Sequence, residues 1–313
     1  MAPKKTILFL FPLILLVLVA CERDVDIEIP GGTRQPAVYG WIEPGAPPII
    51  IFTRAQPYFG SSNFSSFEEL FIHNASITVS TDNYSALLFE LCSNSIPDSL
   101  LPVVGQFLGL DSITLASVNY CVYTSFDANI FGVVGKNYYL NIATTEGEQL
   151  SAVTKIPQPV ALDSLWFQPE RGDTLGFIWA RLTDPDTLGN AYRWFAQRQG
   201  KDNGFIAPYG SSFDDKFING TSFNFGVPRG DNDFAPTPEV EGERGYFKVG
   251  DTVIAKFCTI DMAHFQFWRS FDTQLASNGN PFAAPAPLRS NITGGLGIWG
   301  GYSPSYDTLI ITP

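Results

Sequence analysis

Short runs of β-branched and aromatic residues, each closed by glycine, proline or aspartate, recur from Ala37 to the end of the chain. This punctuation limits the fold more than any other feature. Ile49-Ile50-Ile51-Phe52-Thr53 follows Pro47-Pro48, and Gly135-Lys136-Asn137 leads into Tyr138-Tyr139-Leu140-Asn141-Ile142. In an extended chain Tyr138, Leu140 and Ile142 share one face, so a run this short can enter a core as a strand. Similar segments are Ala75 to Thr81, Ser85 to Leu91, Cys121 to Phe126 and Glu148 to Ile156. Beyond them come Asp163 to Phe167, Leu175 to Leu182, Tyr192 to Gln197, Thr252 to Ile260 and Thr308 to Ile311. Residues 94–117 carry a weaker pattern, and Gly200 to Gly245 reads as long loops over a sheet. With 28 Gly and 23 Pro among 313 residues, and 45% hydrophobic residues, many strands around a sizeable core are expected.

The best boundary is Ile156-Pro157-Gln158-Pro159, because two prolines stop a ladder and stiffen a link. The prediction is therefore mainly β: two immunoglobulin-like β-sandwich domains over 37–156 and 160–313, the second with long loops. The Gly-led Tyr-x-Leu-x-Ile segment looks like a late strand of such a sandwich. The period changes once. Asp261 can cap a helix in which Met262, Phe265, Trp268, Phe271 and Leu275 recur at three- and four-residue steps, with Asn278-Gly279 as the stop. A helix over about 261–277 follows, its aromatic stripe expected to pack on the core.

The N-terminus has a different logic. Lys4 and Lys5 precede an apolar run, Ile7 to Leu18, broken only by Pro12, and the run is short for a span of roughly 20 residues. Residues 1–20 read as a secretory signal peptide. Leu18-Val19-Ala20-Cys21 resembles a bacterial lipobox, in which the cysteine thiol is diacylated and becomes the mature N-terminus; an ordinary signal peptide with a nearby cysteine is the alternative. Residues 21–36, opening Glu22-Arg23-Asp24-Val25-Asp26, form an acidic tether. Such a tether resembles a surface-export signal of gram-negative lipoproteins, or is a solvated linker.

The formal charge is −12, and losing Lys4 and Lys5 with the leader makes it two units more negative. An acidic surface without a Lys/Arg stripe excludes nucleic acid as a partner and is repelled by anionic lipid. Attachment to a membrane would rest on acyl chains at Cys21, palmitate among them, each buried CH₂ contributing about 0.8 kcal/mol.

Four cysteines are present. With Cys21 lipidated, Cys92 and Cys121 are the disulfide candidates in an oxidising compartment, and two buried thiols in separate strands are the alternative. Cys258 reads as a buried free thiol.

Catalytic signals are sparse. His73 and His264 have no second His or Cys at ligand spacing, and neither a Gly-x-Ser-x-Gly elbow nor a phosphate-cradling loop occurs. No catalytic residue, metal site or cofactor is nominated. Calcium could sit at Asp214-Asp215, Asp231-Asn232-Asp233 or Asp184/Asp186, but none has EF-hand spacing, and turn-forming carboxylates are the simpler reading. Phe205, Tyr209, Phe213 and Phe223 could stack on sugars or meet a protein, or fold back on their own sheet. The candidate ligand or partner residues are Tyr209, Phe213, Asp214, Asp215, Asn219 and Asn291. For the glycine-rich stretch after Asn291 a structural closing loop is preferred to a binding loop.

Several longer stretches together resemble one family. They are Tyr39-Gly40-Trp41-Ile42-Glu43, Asp184-Pro185 with Asn190-Ala191-Tyr192-Arg193, and Asp214-Asp215-Lys216-Phe217-Ile218-Asn219-Gly220. The most specific runs from Ser290-Asn291-Ile292-Thr293-Gly294-Gly295 through Leu296-Gly297-Ile298-Trp299-Gly300-Gly301-Tyr302, preceded by Asn280-Pro281-Phe282. The chain resembles the DUF4249 lipoproteins of the Bacteroidetes over essentially its whole mature length, departing at Ala191, where a second Tyr is common, and at Trp299, where Phe is commoner. The resemblance implies outer-membrane lipoproteins often encoded beside TonB-dependent transporters. A non-enzymatic accessory or ligand-capture partner of such a transporter, exposed at the cell surface, is the leading expectation. A stand-alone carbohydrate- or peptide-binding module and an envelope assembly factor are the alternatives.

Overall fold

The computed structural model describes residues 34–55, 68–108, 110, 112–172, 174–231, 240, 242–277 and 287–312. The leader, Cys21, nearly all of the tether and the Asn278-Gly279 stop lie outside them.

The chain enters as a hairpin of β1 (Pro36–Ile42) and β2 (Ile49–Arg54). It continues through β3 (Ser76–Ser80), β4 (Ser85–Cys92), helices α1 (Leu101–Leu108) and α2 (Ser112–Ser117), β5 (Cys121–Thr124), β6 (Asn137–Ala143) and β7 (Gln149–Lys155). Pro157 and Pro159 fall before β8 (Ser164–Arg171). Then follow β9 (Leu175–Thr183), β10 (Ala191–Arg198), β11 (Ser212–Asp214), β12 (Ser222–Val227), β13 (Phe247–Lys248), β14 (Thr252–Ile260), α3 (Met262–Ser277) and β15 (Leu296–Ile310). One sheet runs in the order β11-β10-β14-β15-β1-β2-β5-β4-β3-β6-β7, and a second in the order β12-β9-β13, with β8 also on β9. The architecture is mainly β and sandwich-like, as expected.

Alternation does what it predicts in β6, where Tyr138, Leu140 and Ile142 are buried and their neighbours Asn137, Tyr139 and Asn141 are exposed. Those three enter one hydrophobic cluster with Val38, Ile50, Phe52 and Ile77. A second cluster holds Ile178, Leu182, Tyr192, Trp194, Phe247 and Phe257. The last strand serves both. Trp299 is fully buried in the first cluster, and Leu309 packs against the second.

Three segments differ from expectation, the first being Gly200 to Gly245, where β11 pairs with β10 and β12 with β9 in place of continuous loops. The weak region 94–117 contains α1 and α2, anchored by buried Leu101 and Leu115. Pro102 sits in the first turn of α1, where its missing N–H would have had no helical partner anyway. The glycine-rich stretch before Tyr302 is largely strand, because β15 pairs in parallel with β1 and antiparallel with β14. Its glycines mark close backbone approach. A Cβ on Gly297, whose φ is +109°, would lie 1.8 Å from the Val38 carbonyl oxygen.

Candidate functional site

In β1, Val38 and Ile42 turn into the first cluster, so Tyr39 and Trp41 point to the opposite face. The register carries that face across three more strands. Tyr39 stands beside Ile298 and Trp41 beside Gly300; Ile260 pairs with Tyr302 and Lys256 with Tyr306; Cys258 pairs with Arg193 and Lys256 with Phe195. Helix α3 lies over part of this face. Phe265 packs with Tyr302, Cys258 and Ile260, and Trp268 with Ile298. Close passage of the helix requires Gly300, since a Cβ there would be 2.3 Å from the His264 ring.

Arg193 is held beneath the helix, 7% exposed. Its guanidinium lies 3.3 Å from the Trp268 ring centroid and 4.9 Å from that of Phe195. Nη1 donates to the Tyr302 hydroxyl at 2.8 Å and Nε to Ser211 Oγ at 3.4 Å. Aromatic faces and hydroxyls thus replace water around a charge that would be costly to bury unsolvated. Burial pushes the Asp272 carboxyl up while Arg193 pulls it down, so this acid senses the guanidinium. Burial also drives the Tyr302 hydroxyl up, against the pull of Arg193.

Lys256 is the second cation. Its Nζ meets Glu43 Oε1 at 2.5 Å, and both side chains are largely buried. Burial pushes the ammonium down, but Glu43, Cys258 and Tyr306 outweigh it and hold the group above its ordinary value. The rings of Phe205, Phe195 and Tyr302 stand 5.5, 5.6 and 5.9 Å from Nζ. Tyr306 is 56% exposed and packs 5.8 Å from Phe205; Tyr39, 39% exposed, packs 5.2 Å from Trp41.

The result is a half-open aromatic surface with two cations set into it. Such a surface suits stacking and hydrogen bonding to a ligand or partner. His264 adds packing rather than proton transfer. Burial, then the charge of Arg193, pushes it down to about 3 against a weaker upward pull from the Gly301 backbone, and among the described residues its Nδ1 has no hydrogen-bond partner.

The residues nominated from the sequence are placed as follows. Tyr209 is 63% exposed on the loop between β10 and β11. Phe213 packs against Tyr192, Phe223, Phe225 and Phe257, so protein occupies its ring faces. Asp214 is half-buried in β11 and pairs with Ala191. Asp215 is buried, and its Oδ2 accepts from the Gly189 and Asn190 amides at 2.7 Å each. Asp184 accepts from the Tyr192 hydroxyl and the Gly220 amide. The Asn219 amide donates to the Asp215 carbonyl at 2.9 Å, and its buried Oδ1 has no partner among the described residues. Asn291 holds Trp299 in both directions, Oδ1 accepting its amide at 2.9 Å and Nδ2 donating to its carbonyl at 2.8 Å. The structure does not gather these residues at one place; most are spent on their own backbone.

Cys92 and Cys121 face each other across β4 and β5 and are bonded, with S–S 2.02 Å. His73 and Glu90 lie alongside. One ligand atom from each of the four falls within 4.8 Å of the others, the one such group among the described residues. Linear spacing hid this convergence, because His73 reaches it from the turn before β3. The Arg193 and Lys256 face was also missed as a unit. Its signal was present, since Tyr39, Trp41, Glu43, Arg193 and Tyr302 all lie in the stretches that carry the family resemblance.

Comparison with known proteins gives three findings. A family model described as "Domain of unknown function (DUF4249)" matches residues 22–307. No curated protein matches the chain. A cycloalternan-degrading enzyme from Trueperella pyogenes, solved in complex with cycloalternan, aligns at 10% identity and TM-score 0.23 over 86% of this chain and 34% of that one. The chain thus spans about a third of that enzyme, and a likeness this low carries no argument. Among the described residues no helix is long and apolar enough to cross a membrane.

Proposed function

The chain belongs to the DUF4249 family, and from that membership we propose an outer-membrane lipoprotein that is not an enzyme and that serves a TonB-dependent transporter as accessory or ligand-capture partner. In this reading acyl chains on Cys21 hold it to the membrane, and the acidic tether carries the folded part outward from the cell. The face around Arg193 and Lys256 meets the ligand or the transporter. One observation carries the reading: motif residues from three distant stretches, Tyr39, Trp41 and Glu43, then Arg193, then Tyr302, converge on a single half-open face. A structural role alone does not require exposed rings such as Tyr39 and Tyr306 there.

The test is co-purification from detergent-solubilised outer membranes. The wild type is expected to bring its neighbouring transporter with it, Trp41→Ala with Tyr306→Ala is expected to lose it, and Cys21→Ser is expected to leave the membrane fraction. Recovery of the protein alone, with the transporter present but unbound, would sink the reading. A stand-alone carbohydrate- or peptide-binding module is the second reading, favoured by the exposed ring of Tyr209. It predicts ligand binding by the soluble chain without a transporter, weakened by Tyr209→Ala.

A further inference from the structure

We propose that His73, Glu90, Cys92 and Cys121 form a thiol-dependent zinc site, closed as a disulfide when oxidised and able to hold one Zn²⁺ when reduced. Cys92 and Cys121 are register partners in adjacent antiparallel strands, with Cα atoms 4.0 Å apart, so the backbone keeps both sulfurs together whether or not they are bonded. Glu90 is two residues before Cys92 in β4, which puts its side chain on the same face. His73 arrives from the preceding turn, its Nδ1 in contact with Glu90 Oε1. One ligand atom from each side chain then lies within 4.8 Å of the other three. A tetrahedral zinc with bonds of about 2.0–2.3 Å needs its ligand atoms about 3.3–3.8 Å apart, so small side-chain rotations suffice.

The donor set selects the metal. Two thiolates with an imidazole suit Zn²⁺ and disfavour the hard cations that prefer all-oxygen shells. A supporting contact is already in place, as the Asn74 amide donates to Glu90 Oε2 at 3.1 Å and leaves Oε1 3.8 Å from Cys92 Sγ. Access is open, because the His73 side chain is 45% exposed.

The chemistry balances with a low-molecular-weight dithiol as reductant. Its two thiols give two electrons and two protons to the Cys92–Cys121 bond, leaving two protein thiols and a cyclic disulfide. Zinc then displaces both thiol protons, and His73 and Glu90 complete the shell.

The experiment uses the folded chain, reduced anaerobically with excess dithiol and freed of it by gel filtration. Titration with Co²⁺ is expected to give a thiolate-to-cobalt charge-transfer band that saturates at one ion per chain and is abolished by Zn²⁺. The oxidised chain is expected to give no band. His73→Ala and Glu90→Gln retain both cysteines, and each is expected to weaken cobalt binding by at least about tenfold, since even outer-shell partners of a metal ligand matter that much. Absence of the band in the reduced wild type would overturn the proposal. So would unchanged affinity in both variants, or loss of the circular dichroism of the folded chain on reduction.

Discussion

Thr154 donates its hydroxyl proton to Asp261 across 107 residues of sequence, Oγ1 to Oδ2 at 2.8 Å. The other carboxylate oxygen of Asp261 accepts the His264 amide at 2.8 Å, which caps α3. The same threonine oxygen accepts the Gly301 amide at 2.7 Å. One hydroxyl therefore fixes the start of the helix to β7 and to β15.

Removing either partner should cost more than a surface cap. Asp261→Ala is expected to lose about 1–2 kcal/mol from the cap. Thr154→Val, which leaves the Gly301 amide unpaired, is expected to lose about 1–3 kcal/mol. The two are expected to couple by about 0.5–3 kcal/mol in a double-mutant cycle read by urea unfolding. Strict additivity would show that the contact is not shared.

His264 should make stability depend on pH. Its folded value, about 3, is depressed from an ordinary 6.5. Between those values the unfolded chain binds a proton that the folded chain refuses. The contribution is complete above pH 6.5 and falls as pH drops towards 3, by up to about 1.4 kcal/mol per pH unit. Urea midpoints over that window are expected to be flatter for His264→Gln than for the wild type.

The Lys256 and Glu43 pair should respond asymmetrically. Glu43→Ala strands a largely buried ammonium and is expected to cost about 3–5 kcal/mol. Glu43→Gln with Lys256→Met removes both charges and is expected to regain most of that loss in thermal unfolding. Equal costs for the single and double variants would show that packing, not charge, sets the effect.

Loss of the disulfide should destabilise without altering the fold. A loop closed over a separation of 29 residues is worth about 3–4 kcal/mol in the chain-entropy model. Cys92→Ser with Cys121→Ser is expected to lower the unfolding free energy from urea titration by that amount while the far-ultraviolet spectrum is kept.

Some of this was legible in residue order. The alternation of Tyr138, Leu140 and Ile142 told which face of β6 is buried, and Asp261 followed by a three- and four-residue stripe told where α3 begins. Such signals are local, because a strand or helix repeats over a few residues and its apolar side must match that repeat. What residue order could not tell was which strands become neighbours. β1 and β15 come from opposite ends of the chain and lie in parallel, and only that pairing turns a glycine-rich stretch into strand and puts Trp299 into the first cluster. It also sets Tyr39 and Glu43 near Arg193 and Lys256, as the packing of β3 to β5 sets His73 against Cys92 and Cys121. Periodicity encodes a face, whereas long-range pairing is chosen by the packing of all the faces together, and the Arg193–Lys256 face and the His73–Cys121 cluster are both products of that second step.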